Sequence, residues 1–139
     1  MRTYARRTRV PVDQSRLAIE RLVVGHGATR FYSAQEEGRA LIGFELADRR
    51  IQFAIQFPPK SGRGRDPEQV KKEMFRALLL SVKAKFVAIE AGVETLEQAF
   101  LAHVVMPNGQ TVHEHLKGYL AEGYKVGKMP PMLPALGGA

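Results

Sequence analysis

One long apolar segment, residues 66–92, constrains the fold of this 139-residue chain more than any other feature. Asp66 is suited to cap a helix, Pro67 fits the first helical position, and Gly92 is suited to end the helix. Between them, two apolar stripes recur at helical spacing. The first contains Val70, Met74, Ala77, Leu78, Ser81, Val82 and Ile89, and the second contains Phe75, Leu79 and Phe86. The sequence therefore predicts a long helix whose middle is apolar almost all round and which the rest of the chain must cover on several sides.

Three segments with alternating apolar and polar residues precede this helix. Residues 30–35, 39–46 and 51–57 are expected to form antiparallel strands, joined by turns at 36–38 and 47–49. The apolar residues that would share one face of the last two strands are Ala40, Ile42, Phe44, Leu46, Ile51, Phe53, Ile55 and Phe57. This alternation predicts a sheet that packs one face on the long helix and exposes the other to solvent.

Shorter helices are expected on both sides of this unit. Asp13 is predicted to cap a first helix that ends near Gly25. Thr95 and Thr111 are each followed three residues later by Gln or Glu, the capping-box pattern, and the helix that Thr95 starts is expected to reach Val104. The predicted fold class is therefore α+β: a three-stranded antiparallel meander packed on a long central helix, with further helices at both ends.

These elements divide the chain into three parts. Residues 1–10 are expected to be a flexible basic arm, residues 11–126 a single domain, and residues 127–139 an extended tail rich in Pro, Gly and Met. Cysteine is absent, which excludes disulfides, thiolate metal sites and cysteine nucleophiles. Since no stretch approaches the roughly 20 apolar residues of a membrane span, we expect a cytoplasmic location and no membrane partner.

The charge of the chain points to a polyanionic partner. There are 21 Lys and Arg residues against 14 Asp and Glu, a formal net charge of +7. Such an excess favours nucleic acid or an acidic protein surface, although it is also compatible with a role in solubility alone. The residues predicted to contact nucleic acid are Arg2, Arg6, Arg7, Arg9, Arg39, Gln52, Gln56, Lys60, Arg63, Arg65, Lys71 and Lys72, with Phe31 or Tyr32 as an exposed ring.

Patterns typical of catalysis or metal binding are weak. His113 and His115 are two residues apart and point to different faces of a helix, unlike the i, i+4 pair of a zinc-binding helix. With His103 nearby, a metal site is kept as a minor alternative. Three glutamates at residues 90–97 lack the aspartates of a metal-dependent nuclease, and no serine lies in a nucleophile-elbow context. The sequence therefore predicts a protein that is not an enzyme and needs no cofactor or metal.

Distinctive stretches cover most of the chain after the first ten residues. They are HGATRF at 26–31, VKAK at 82–85, EAG at 90–92, EQAFLAH at 97–103, PNGQTV at 107–112 and GKMPPMLP at 127–134. In these stretches the chain resembles small, basic, uncharacterised proteins encoded by tailed phages and prophages. The resemblance carries no known chemistry and no assigned site. It implies a phage context, the cytoplasm of a host cell, and proximity to replication and recombination genes.

Two classes of function remain open. The first is a non-enzymatic nucleic-acid-binding protein, with single-stranded DNA favoured, acting in phage replication or recombination. The second is a phage accessory protein that binds a host protein of the transcription or defence machinery. The basic segments and the polar sheet face favour the first, and the apolar tail around Met129, Met132 and Leu133 favours the second. Pairing across a sheet edge would also allow a homo-oligomer.

Overall fold

The computed structural model describes residues 8–59 and 66–131, which form four helices and one sheet. The elements are α1 Val12–Gly25, β1 Thr29–Glu36, β2 Arg39–Leu46, β3 Arg49–Gln56, α2 Pro67–Glu90, α3 Leu96–Phe100, a 3-10 turn Leu101–His103, and α4 Val112–Val126. The predicted α+β class is confirmed. None of the helices in these two ranges has the length and apolar content needed to cross a membrane.

The strands form an antiparallel meander in the order β1–β2–β3, as the sequence predicts. Its apolar face consists of the buried residues Ala40, Ile42, Phe44, Leu46, Ile51, Phe53 and Ile55. The third strand starts two residues earlier than expected and ends at Gln56. Phe57 follows the strand and still packs toward the core, with its ring centroid 6.4 Å from that of Phe75 in α2.

Helix α2 supplies the other half of the core. Asp66 caps it as predicted, because its carboxylate accepts a hydrogen bond from the Glu68 backbone N–H at 3.2 Å. The buried residues of α2 are Glu73, Phe75, Leu78, Leu79, Val82 and Phe86. Ala77 and Ser81 are exposed, and Val87 is 64% exposed. The prediction that the middle of α2 is apolar almost all round and covered on several sides was therefore too broad: α2 packs into the core and against α1, and one side stays open to solvent.

Two helix boundaries differ from the sequence-based prediction. Helix α1 begins one residue before Asp13, whose carboxylate forms an ion pair with Arg16 at 3.0 Å instead of capping the helix. Val104 does not extend α3; it leaves the 3-10 turn and pairs with Ile51 of β3. The capping boxes predicted at the starts of α3 and α4 are both present. Local capping signals are thus confirmed at three of the four helix starts, and at α1 the cap prediction was wrong.

Candidate nucleic-acid interface

The outer face of the sheet, which points away from the core, carries the polar residues predicted to bind nucleic acid. Tyr32 lies opposite Gly43, Gly43 opposite Gln52, and Arg39 opposite Gln56. Since opposite residues and alternate residues of a strand share a face, these side chains lie on the same surface. Of the two aromatic candidates, Tyr32 belongs to this surface, whereas Phe31 is half-buried against the core.

The ring of Tyr32 crosses the middle strand and is held in place there. Its hydroxyl donates a hydrogen bond to Oε1 of Gln52 at 2.7 Å. Beneath it lies Gly43, which is buried, and a β-carbon at that position would overlap the tyrosine ring. Tyr32 as a whole is nevertheless 37% exposed. The ring therefore contacts the sheet at Gly43 and Gln52, and its exposed part is open to stack on another planar group.

Two of the predicted cations already have acidic neighbours. Nε of Arg39 lies 3.1 Å from the carboxylate of Glu36, and Nζ of Lys71 lies 3.4 Å from that of Glu68. The Lys71 ammonium also lies 5.3 Å from the centroid of the Phe57 ring. Ion pairs of this exposed kind contribute only about 0 to 1 kcal/mol, so a phosphate group can replace the carboxylate at little cost.

The positive excess of the chain is concentrated in two short segments. Of the 21 Lys and Arg residues, six lie in segments 1–7 and 60–65, which contain no acidic residue. The remaining 15 are therefore matched by all 14 acidic residues, and the described part of the chain is close to neutral. The six cations lie outside the described residues; they are Arg2, Arg6, Arg7, Lys60, Arg63 and Arg65.

Both segments join the described fold at the N-terminal end of α2. The side-chain amide of Gln69, in the first turn of α2, donates a hydrogen bond to the Thr8 carbonyl at 2.7 Å. Thr8 directly follows segment 1–7, and α2 directly follows segment 60–65 and Asp66. Two predicted contact residues, exposed Arg9 and half-buried Lys72, are close in sequence to this hydrogen bond. The structure thus brings together the attachment points of two basic segments that are far apart in sequence.

This end of α2 also adjoins the end of the sheet that carries Arg39 and Gln56. The backbone N–H of Phe57 donates to the carbonyl of Gly38 at 2.9 Å, one residue from Arg39. Lys71 of α2 lies over the ring of the same phenylalanine. The predicted contacts in α2 and in the sheet therefore meet around Phe57, while Gln52 lies further along the outer face beside Tyr32.

Two of the three histidines considered for a metal site, His103 and His115, are engaged in other contacts. His103 stacks on Phe53 with the ring centroids 4.2 Å apart. Burial lowers the pKa of His103, and the positive charge of Lys85 lowers that pKa further. Nδ1 of His115 lies 3.3 Å from the side-chain amide of Asn108. Over residues 8–59 and 66–131, no three His, Asp or Glu side chains are grouped closely enough to hold a metal ion.

A second surface, on α4, was not among the predicted nucleic-acid contacts. Of the apolar tail residues that favoured protein binding, it includes Met129, whereas Met132 and Leu133 lie outside the described residues. This helix and the residues after it expose Leu120, Tyr124, Val126 and Met129, and Tyr124 is 89% exposed. A separate groove of about 530 Å³ also lies against α4, lined by other residues that include Gly118, Tyr119 and Pro130. The sequence did indicate this surface, because apolar residues continue into the last turns of α4 and the core does not bury them.

Comparison with known proteins places the chain in no family, since no family model, curated protein or solved structure matches it. The case for nucleic-acid binding that follows therefore depends on the residues and geometry of this chain.

Proposed function

We propose that the protein is a non-enzymatic nucleic-acid-binding protein that holds single strands on the outer face of its sheet. The observation that supports this best is the ring of Tyr32, which lies over Gly43 while the residue stays 37% exposed to solvent. Unpaired bases stack readily on such rings, whereas the bases of a duplex are not free to do so. The amides of Gln52 and Gln56 offer hydrogen-bond donors and acceptors on the same face.

Most of the affinity would come from the two basic segments. Lys and Arg side chains that contact phosphates release condensed counterions, and this term dominates non-specific binding to nucleic acid. Because the described fold is nearly neutral, the six cations of segments 1–7 and 60–65 supply the excess charge for this term. Their shared attachment at the start of α2 supports a common path for one bound strand. Following the resemblance to phage proteins, we place this activity in phage replication or recombination within a host cell.

The contribution of the basic segments is tested by changing Lys60, Arg63 and Arg65 together to Ala. We expect the affinity for a labelled single-stranded oligonucleotide to fall at least about tenfold at low salt, because three phosphate contacts are lost. Fluorescence anisotropy measures the affinity, and thermal unfolding followed by circular dichroism verifies that the fold is retained.

A matched control removes the same charge elsewhere. Lys117, Lys125 and Lys128 lie in or just after α4, and changing them to Ala leaves the two basic segments intact. We expect a much smaller loss of affinity in this variant. Equal losses in the two triple variants would show that only net charge matters and would remove the basic segments from the proposal.

The contribution of the ring is tested at Tyr32. Stacking of one base is worth about 1 to 3 kcal/mol, so Tyr32→Ala should weaken single-strand binding roughly 5- to 150-fold, while Tyr32→Phe retains most of the affinity. Gly43→Ala should weaken binding as well, because the new β-carbon displaces the ring. Unchanged affinity in Tyr32→Ala would contradict stacking on this face.

The exposed apolar residues of α4 favour a second candidate function, the binding of a host protein. Large apolar surface patches are typical of protein interaction sites. Under this alternative, Leu120→Ser and Tyr124→Ser would abolish capture of a partner from a host lysate, and the Lys60, Arg63 and Arg65 variant would not. The same variants therefore distinguish the two candidate functions.

A further inference from the structure

The outer face of the sheet continues past Tyr32 to residues that the sequence-based contacts do not include. In β3, Arg50 precedes Gln52 by two residues, so both side chains belong to the outer face. The hydroxyl of Tyr32 bonds to Gln52, and Arg50 is the next outer-face residue of β3, about 7 Å from Gln52 along the strand. Arg50 is exposed, and Glu45 of β2 lies directly opposite it.

The arginines of the outer face differ in whether they have an acidic partner. Arg39 pairs with Glu36 at 3.1 Å, and Arg30 pairs with Glu45 at 3.4 Å. Within residues 8–59 and 66–131, no carboxylate lies within ion-pair distance of Arg50. The end of the outer face that holds Arg30, Glu45 and Arg50 therefore carries a net positive charge, and an anion that binds Arg50 displaces no existing ion pair.

The adjacent Arg49 has the same charge but a different environment. Successive residues of a strand point to opposite faces, so Arg49 does not share the outer face with Arg50. Nε of Arg49 lies 2.9 Å from the carboxylate of Glu97 in α3. An anion that approaches Arg49 must therefore compete with Glu97. The two neighbouring arginines provide a matched pair, one already engaged and one open to a partner.

A groove adjoins Arg50 at the same corner of the sheet. It has a volume of about 440 Å³, and its lining includes Arg50, Val105 and Met106 as well as Asp48 and Arg49. The carbonyl of Arg50 accepts a hydrogen bond from the Val105 N–H at 2.8 Å, which holds the backbone of Arg50 beside the groove. Among the lining residues, the charges of Asp48 and Arg49 offset each other. Arg50 therefore gives this concave surface its positive charge, which favours an anionic group.

We propose that Arg50 binds a phosphate group of a single strand whose base stacks on Tyr32, so that the bound nucleic acid continues past the ring to this corner of the sheet. The inference rests on the proposed function and adds to it a contact and a path. The predicted contacts Arg39 and Gln56 lie on the other side of the ring, at the end of the sheet beside α2. The bound single strand would therefore run about 20 Å along the outer face, the distance along β3 from Gln56 to Arg50.

The contact is tested by fluorescence anisotropy with a labelled single-stranded oligonucleotide at several salt concentrations. Each phosphate contact with a single strand contributes about −0.7 to the slope of log affinity against log salt. Arg50→Ala should therefore reduce the magnitude of the slope by about 0.7 and lower the affinity roughly two- to fivefold at low salt, whereas Arg50→Lys should retain most of both. Arg49→Ala removes the same charge and should leave the slope unchanged. Thermal unfolding verifies that each variant folds.

A cross-linking experiment tests the path of the bound single strand. The chain contains no cysteine, so Arg50→Cys and Arg49→Cys each introduce a single thiol. The probe is a single-stranded oligonucleotide that carries a short thiol tether on one internal phosphate. We expect mild oxidation to cross-link this probe to Arg50→Cys and much less to Arg49→Cys. Adding Tyr32→Ala to the Arg50→Cys variant should lower the yield, because the ring no longer holds a base beside the thiol.

The possible outcomes separate this inference from the proposed function. If Tyr32→Ala weakens binding while Arg50→Ala and Arg49→Ala have equal slopes, the contact at Arg50 is overturned and stacking on the outer face stands. Equal cross-linking of the two cysteine variants would overturn the path past the ring. Absence of binding by the unchanged protein at low salt would overturn both the inference and the proposed function.

Discussion

The turn between β2 and β3 places a residue with a β-carbon in a costly backbone conformation. Ala47 and Asp48 have φ values of 51° and 60°, in the left-handed region. Asp tolerates this region, whereas for Ala it costs about 1 kcal/mol or more. Ala47→Asn should therefore raise the free energy of unfolding by about 0.5 to 1 kcal/mol in urea titrations, because Asn is favoured at this position of two-residue hairpin turns.

A control for this prediction places the same substitution in a regular strand. Ala54 is exposed in β3, and its φ is not positive. Ala54→Asn should leave stability unchanged or lower it, because Asn is disfavoured in strands. A gain of similar size in both variants would mean that the turn conformation is not the source of the effect.

A single extra residue in β1 explains why the sequence left two candidates, Phe31 and Tyr32, for the stacking ring. Alternation predicted the outer positions of β2 and β3 correctly, including Gln52. In β1, one extra residue is accommodated near Arg30, and a shift of one residue moves a side chain to the other face. A single sequence does not reveal such a bulge, so Phe31 and Tyr32 were equivalent candidates until the structure was known.

At the scale of elements, the predictions that held were those carried by local signals. The capping residues of α2, α3 and α4 and the alternation of β2 and β3 depend on neighbours within a few positions. Asp13 failed as a cap because it lies inside the first turn of α1. Val104 left the predicted helix because it pairs with Ile51, more than 50 residues earlier, a contact that no local pattern encodes.

One contact between elements gives a pH-dependent prediction. His26 follows α1, stacks on Phe86 of α2 at 3.8 Å between ring centroids, and forms an ion pair with Glu90 at 2.9 Å. A hydrogen bond to the carbonyl of Leu22 raises the pKa of His26 above 6.5, and the bond to Glu90 raises that pKa further. A histidine whose pKa is raised on folding stabilises the protein below its unfolded pKa, and the contribution is lost as the pH rises through the folded pKa. We therefore expect Tm to fall as the pH rises above 6.5.

The variant His26→Gln should remove most of this fall, as measured by thermal unfolding at a series of pH values. His103 provides a contrast, because its pKa is lowered on folding. Its contribution to stability is therefore lost as the pH falls below 6.5, not as the pH rises. His103→Gln should therefore change Tm at acid pH and leave unchanged the decrease in Tm above pH 6.5. An unchanged profile in His26→Gln would contradict the role assigned to the contact with Glu90.

At the scale of the whole molecule, the distribution of charge matters more than its total. The sequence indicated a basic protein, and the structure adds that the described fold is close to neutral and that both acid-free segments attach at the start of α2. The hydrogen bond between Thr8 and Gln69 joins residues 61 positions apart, so this convergence could not be predicted from local patterns. The position of the α4 surface likewise depends on which apolar residues the core leaves uncovered.

The central claim, binding of single strands through a stacking face and basic segments, is tested most directly by fluorescence anisotropy with a labelled single-stranded oligonucleotide. The measurement is made at two salt concentrations, with unlabelled duplex as competitor. We predict tight binding at low salt, a slope of about −0.7 in log affinity against log salt for each phosphate contact, and poor competition by duplex. Absence of binding at low salt, or equal competition by single-stranded and duplex DNA, would contradict the account.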